Sequence, residues 1–355
     1  MSIYNIPSLK IGNLEAAIPI IQGGMGVKVS MAGLASAVAN EGCIGVIASV
    51  GLDYQRTVKY DPAMGEQALR SEIRKARSLS NGIIGVNIMY AISDHERFVR
   101  AAIDEGVDLI IVGAGVSVEL PKYLNGRDVK LLPIVSSARA FNIICQFWSR
   151  NYNKLPDAVI VEGSMAGGHL GFSYGEVAED KATKLEQIVS EVIAIANSYS
   201  PQIPVIAAGG VFEGADIARY LKLGASGVQM ATRFVCTHEC DVHENFKQAY
   251  LKANKEDIAI IKSPVGMPGR VIRNDFVERI LRGETIPFRC TYRCLKSCDP
   301  KTIPYCIAKV LLNAAEGNLE EGFAFAGSNA YRCNEIVSVK SLVKKLVEET
   351  LLCLQ

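Results

Sequence analysis

Eight short apolar runs, each ending in glycine or small polar residues, punctuate the chain up to Met230. They occupy residues 18–22 (running into GGMG), 43–48, 83–89, 107–112, 131–135, 158–161, 204–208 and Gly227–Met230. Side chains alternate between faces along a strand, so a run that is apolar throughout is covered on both sides, as in a parallel sheet. Between the runs apolar residues recur at three-and-four spacing. Ala68, Leu69, Ile73 and Ala76 do so in 67–79, Ile188, Val189, Val192, Ile193 and Ala196 in 185–196, and Ile217, Ala218 and Leu221 in 214–223. That is the stripe of an amphipathic helix. Eight such alternations predict an α/β fold closed as a (β/α)8 TIM barrel over residues 1–240. Residues 241–332 break the repeat and read as a smaller helical region capping the barrel mouth, with a cysteine-rich segment. Residues 333–355 read as a lysine-studded helix that returns to the barrel.

Charge narrows the classes of partner. Thirty-eight basic residues face 37 acidic ones, which offers no general field for nucleic acid. The first residues lack a basic region followed by an apolar one, so a cytoplasmic protein without a signal peptide is expected. The most apolar stretch, 29–52, is broken by Asn40, Glu41 and glycines, and reads as helix plus strand rather than a membrane span. Ten cysteines in that setting imply thiols or metal ligands, not a disulfide framework.

Barrel chemistry sits at the C-terminal ends of the strands. The residues there are Gly23, Gly24, Met25, Asn87, Gly113, Ser136, Glu162, the 163–171 loop, Gly209, Gly210, Ala231 and Thr232. Loops after the seventh and eighth strands commonly bind phosphate through backbone N–H groups. AAGGV and QMATR stand at those places, although tight βα turns would use the same residues. The loop VEGSMAGGHLGF (161–172) follows the sixth strand and carries His169, the one histidine at a predicted strand end. His95, His238 and His243 fall in helices or at their starts and read as surface residues.

Four segments in this order, IPIIQGGMG, VEGSMAGGHLGF, IPVIAAGGV and GVQMATRF, resemble the nitronate monooxygenase (2-nitropropane dioxygenase) family, which includes flavin-dependent enoyl-ACP reductases. The resemblance covers residues 10 to about 275, with SPVGMPGR and FAGSNA as further family segments. It implies an FMN-binding barrel. Gly23, Gly24 and Met25 would lie beside the flavin ring. Asn87 and Glu162 would bond the ring or ribityl chain. Gly167, Gly168, Gly209, Gly210, Ala231 and Thr232 would hold the phosphate, with Gln229 and Met230 nearby. His169 would be the catalytic acid or base. Ser136, Met267 and Arg270 are candidate substrate contacts. Two reactions fit the resemblance: oxidation of alkyl nitronates or nitroalkanes with oxygen, and NAD(P)H-driven reduction of an enoyl thioester. A non-redox lyase or isomerase acting on a phosphorylated substrate would use the same loops. A small molecule or acyl thioester is the expected substrate, without nucleic acid or membrane, and a homodimer is plausible. One departure stands out: family loops usually read EAGGH, and here Met165 precedes AGGH.

Cys290, Cys294, Cys298 and Cys306 form the densest cysteine group. The first three, four apart, would share one face if the segment were helical. Packing, a zinc or iron–sulfur site, and redox-active thiols all remain open. Near Cys236, Thr237 reads as the N-cap of the helix after the eighth strand.

Overall fold

The computed structural model describes residues 6–53, 61–296 and 298–355. The eight runs become eight parallel strands: β1 (Ile20–Gln22), β2 (Gly45–Ala48), β3 (Ile84–Met89), β4 (Leu109–Gly113), β5 (Lys130–Val135), β6 (Val159–Glu162), β7 (Val205–Ala208) and β8 (Gly227–Met230). Each pairs with its neighbour in sequence from β2 to β8, and β8 pairs with β1. A parallel bridge between Ile21 and Ile44 completes the circle. Gln22 N–H donates to Ile44 O at 2.9 Å and Ile44 N–H to Ile20 O at 3.0 Å. The sheet is therefore a closed barrel, which leaves no edge strand.

Alternation along the strands sorts the apolar residues into two cores. Ile21, Val46, Leu109, Ile111, Leu132, Ile160 and Ile206 point inward and fill the barrel. Leu9, Ile11 and Ala16 join them from an antiparallel hairpin (Leu9–Ile11 with Leu14–Ala16) that stoppers the N-terminal end. Ile47, Val86, Ile110, Leu131 and Val159 face outward against the helices.

The helices follow the stripes closely. Leu185–Ala196 and Gly214–Leu223 fall where the spacing places them. The 67–79 pattern is the latter part of a longer helix, Pro62–Leu79, because Asp61 caps Ala63 N–H at 2.9 Å and moves the start upstream. After β4 the crossover is only a 3-10 turn, Leu120–Tyr123. The terminal helix, Val339–Leu354, packs on Gly214–Leu223. A Cβ on Gly214 would stand 2.3 Å from Glu349 Cβ, so glycine is what lets the two helices cross this closely. Glu349 also accepts the Gly214 N–H at 2.9 Å.

Four expectations are corrected. The capping region is mixed rather than simply helical: Ile258–Lys262 pairs antiparallel with Pro268–Ile272, which also pairs with Gly168–His169 of the sixth loop. Ile261, Val271, Phe276, Tyr305 and Phe323 form its own small core. The cysteine-rich stretch is not a helix; prolines interrupt it, Arg293 adopts φ +44°, and regular structure resumes only at Ile307. Thr237 closes a helix instead of opening one. The helix after β8 spans Thr232–Val235, and Thr237 Oγ1 donates to Phe234 O at 2.7 Å. The next helix, Glu244–Lys252, is capped by His243 Nδ1, which accepts from Asn245 N–H at 3.1 Å. Finally, His95 is buried, its Nδ1–H donating to Met89 O at 3.2 Å and its ring meeting Tyr90 edge-on. Among the described residues no helix is long and apolar enough to cross a membrane.

Candidate active site

A cavity of about 300 Å³ lies between the C-terminal ends of the strands and the cap. Gly23, Gly24, Met25, Asn87, Gly113, Glu162, Gly167, Gly168, His169, Gly209, Gly210, Gln229, Met230, Ala231, Thr232 and Met267 all line it. Residues from six strand ends thus meet in one place because the barrel brings those ends together.

Glycine permits the closest approaches. A Cβ on Gly24 would stand 2.4 Å from Asn87 Cβ, so the first loop lies directly against the end of β3. Gly209 and Gly210 take φ +94° and +84°, and a Cβ on Gly209 would meet Gly163 O at 2.9 Å. The seventh loop is pressed against the sixth in a conformation that side chains rarely adopt. A late segment of the cap completes this end. Gly327 N–H donates to Thr232 Oγ1 at 3.3 Å, Ser328 N–H to Met165 O at 3.1 Å, and Asn329 Nδ2 to Gly210 O at 2.7 Å. Glycine loops and Thr232 together form a cradle suited to a phosphate-bearing group.

His169 lines the same cavity, on the two-residue strand that joins the sixth loop to the cap. Its Nε2 lies 2.7 Å from Ser263 Oγ, and its ring meets Phe325 edge-on at 4.9 Å. Burial pushes its pKa down to about 4, so the imidazole is neutral near pH 7. Glu162, at the end of β6, is pushed up to about 7 by the same loss of solvent. The carboxyl can carry a proton where most cannot. Gln229 Oε1 is buried without a hydrogen-bond partner, an acceptor left for something the cavity would hold.

Two of the candidate substrate contacts have other neighbours. Arg270 is buried in the cap sheet, and its Nη1 donates to Ser164 O at 2.5 Å and Ala166 O at 2.6 Å. It ties the sixth loop to the cap. Ser136 lies beneath that loop, where a Cβ on Gly171 would meet its Oγ at 2.4 Å. Met165, which departs from the usual family residue, packs over Gly210 and lines the cavity. Sequence reasoning gave no role to Ser263, Phe325, Gly327 or Ser328, although SPVG and FAGSNA marked their segments. The missing signal is tertiary: nothing local shows that these segments fold over His169 and the glycine loops.

A family model described as nitronate monooxygenase matches residues 8–97 and 92–349. The chain belongs to that family. Among curated relatives, a (3aS,4S,5R,7aS)-5-hydroxy-7a-methyl-1-oxo-octahydro-1H-indene-4-carboxyl-CoA dehydrogenase from Rhodococcus jostii is 31% identical over 262 residues. The match takes in 74% of this chain and 64% of the relative. A dehydrogenase of the same name from Mycobacterium tuberculosis is 32% identical, with 75% of this chain and 66% of that one matched. The chain thus spans slightly less than two thirds of these relatives' length. Among solved structures, FabK from Thermotoga maritima superposes with a TM-score of 0.74 at 29% identity, covering 94% of this chain and 93% of that one. The likeness to FabK thus extends over nearly the whole length of both chains.

Proposed function

We propose that this chain is an FMN-dependent oxidoreductase in which His169 moves a proton at the carbon that is oxidised or reduced. The observation that carries the reading is the convergence of the glycine cradle, the unpartnered Gln229 Oε1 and a neutral His169 on one cavity. The residues fit the group. Gly209, Gly210 and Thr232 would hold the phosphate. Asn87, Glu162 and Gln229 would meet the polar atoms of the ring and ribityl chain, with Gly23 and Gly24 leaving room for the ring. Bound FMN supplies transfer of an electron pair to or from carbon.

The protein's own part is positional and protic. Ser263 fixes the His169 ring through its Nε2, and Phe325 packs against the ring. Neutral imidazole accepts a proton from a carbon acid, and its conjugate acid returns one to a forming carbanion. The low pKa keeps the base form populated across the physiological range. Arg270 holds the loop that carries this histidine to the cap. The cap and the apolar wall exclude water from the reacting atoms.

For the substrate we favour an acyl thioester reduced or oxidised beside its carbonyl. Val27, Val29, Val50, Val265, Leu295 and Leu311 give the cavity an apolar wall, which suits an uncharged carbon chain better than a small nitronate anion. The similarity to carboxyl-CoA dehydrogenases supports this choice. Nitronate oxidation is the second reading, supported by the family match. NAD(P)H is the proposed electron donor for the reductive direction.

The test starts with the absorbance of the purified chain and of its acid-released supernatant. A flavin spectrum with free FMN is expected; a colourless protein that takes up no added FMN would overturn the reading. His169→Ala should keep FMN and lower turnover about 10²–10⁴-fold; full turnover with FMN retained removes His169 from the chemistry. Reduction by NAD(P)H without oxygen, then reoxidation by an enoyl thioester or by nitronate with oxygen, separates the two substrates.

A further inference from the structure

Between Leu281 and Ile307 the described residues form neither helix nor strand. So long an irregular stretch inside a compact domain is uncommon. Its neck is tied by Ile286 N–H donating to Pro304 O at 2.8 Å, and its middle by a bridge from Leu295 to Ile92. Inside the loop is a second cavity, of about 450 Å³. Cys290, Cys294, Cys298 and Cys306, the four cysteines of the segment, all stand on its wall.

Three of these cysteines differ from those of the barrel core, whereas Cys306 is itself buried and packed with Val27, Tyr292, Ala308 and Leu312. Cys43, Cys145 and Cys240 are buried in packed surroundings, as small apolar side chains are. Cys290, Cys294 and Cys298 are only half-buried and face a hollow. Cys306 stands at the N-cap position of the nine-residue helix Ile307–Ala315. Arg293 and Lys296 line the same hollow. Four thiols and the Arg293 cation around one space suit an anionic, sulfur-bound group.

A single metal ion does not suit the geometry. Among the described residues no three His, Cys, Asp or Glu side chains are grouped to hold one ion, whereas tetrahedral zinc needs four sulfurs, each about 2.3 Å from a common centre. A polynuclear group spreads its ligands around a larger body. We infer that Cys290, Cys294, Cys298 and Cys306 bind an iron–sulfur cluster. The irregular backbone is what makes this possible: on a helix the first three cysteines would sit in one row, whereas the loop carries each to the wall of one hollow. The cluster fastens the loop, since ligation of four thiolates supplies ordering that the backbone bonds do not. Cys294, Leu295, Val265 and Ile307 line both cavities, so what it fastens is a wall of the active cavity.

The test uses the full chain purified without oxygen, with iron, acid-labile sulfide, zinc and flavin measured in the same sample. The expected result is about two or four irons per chain with matching sulfide, and an electron paramagnetic resonance signal after reduction with dithionite. Cys298→Ser and Cys306→Ser should each lose most of the iron and become open to proteolysis within 282–306. Cys353→Ser, at an exposed position, should keep the wild-type content. Absence of iron and sulfide in the wild type, even after reconstitution with ferrous iron and sulfide, would overturn the inference without reference to any variant. So would zinc in place of iron, or Ser variants that keep the wild-type iron. Because flavin is counted separately, a chain with FMN and no cluster refutes only this inference, and one with a cluster and no FMN only the proposed function.

Discussion

Glu162→Gln should stabilise the flavin-free protein, and only above a definable pH. Burial at the end of β6 raises the Glu162 pKa from 4.5 to about 7. The folded state therefore binds a proton that the unfolded state has already released between those values. Below pH 4.5 both states are protonated, and the raised pKa has no effect on stability. As pH rises toward 7 the folded protein loses stability relative to a chain without this group. Above pH 7 the side chain is charged in both states, and the folded state bears the full cost. At about 1.4 kcal/mol per pH unit, that cost comes to about 3–4 kcal/mol. Glutamine keeps the shape and cannot ionise, so its advantage should grow from near zero at pH 4.5 to roughly 3 kcal/mol at pH 8. Urea unfolding of both proteins at pH 4.5, 6 and 8 measures the difference. Parallel stability profiles across that range would mean that Glu162 is not buried as described. Adding FMN should narrow the gap at pH 8 if the carboxylate finds its partner on the flavin.

Two further substitutions probe the close approaches. Gly167→Ala puts a methyl group 2.6 Å from the Ala326 carbonyl carbon and 2.7 Å from Gly327 N, so the 326–327 backbone must move. FMN affinity should fall by about 1–3 kcal/mol, read by fluorescence titration, and unchanged affinity would show that the late cap segment does not shape the phosphate cradle. Gly214→Ala drives a methyl group into Glu349 Cβ and Thr350 N of the terminal helix. A lower melting temperature is expected, with a loss of about 1–3 kcal/mol and FMN binding retained; an unchanged melting temperature would show that the two helices can separate at no cost.

The barrel was legible because each strand is a continuous apolar run that stops at glycine, and because its loops must then point to one end. That placed Gly24, Asn87, Glu162, His169, Gly209 and Thr232 together without any knowledge of contacts. The cap was not legible for the opposite reason. Its sheet joins two short strands to two residues, Gly168 and His169, borrowed from a barrel loop, and two residues carry no period. Arg270 illustrates the same limit. A charge beside glycines and prolines at a barrel mouth suggests a ligand contact, yet here two backbone carbonyls, Ser164 O and Ala166 O, already accept its protons.

The cysteines separate spacing from geometry most sharply. Four-residue intervals suggest a helix face, and on that reading Cys290, Cys294 and Cys298 are a stripe with nothing to converge on. Prolines at 300 and 304 deny the helix, and once the chain is irregular the same intervals no longer specify direction. What then matters is whether the thiols face packed atoms or a space. They face a space that shares a wall with the active cavity.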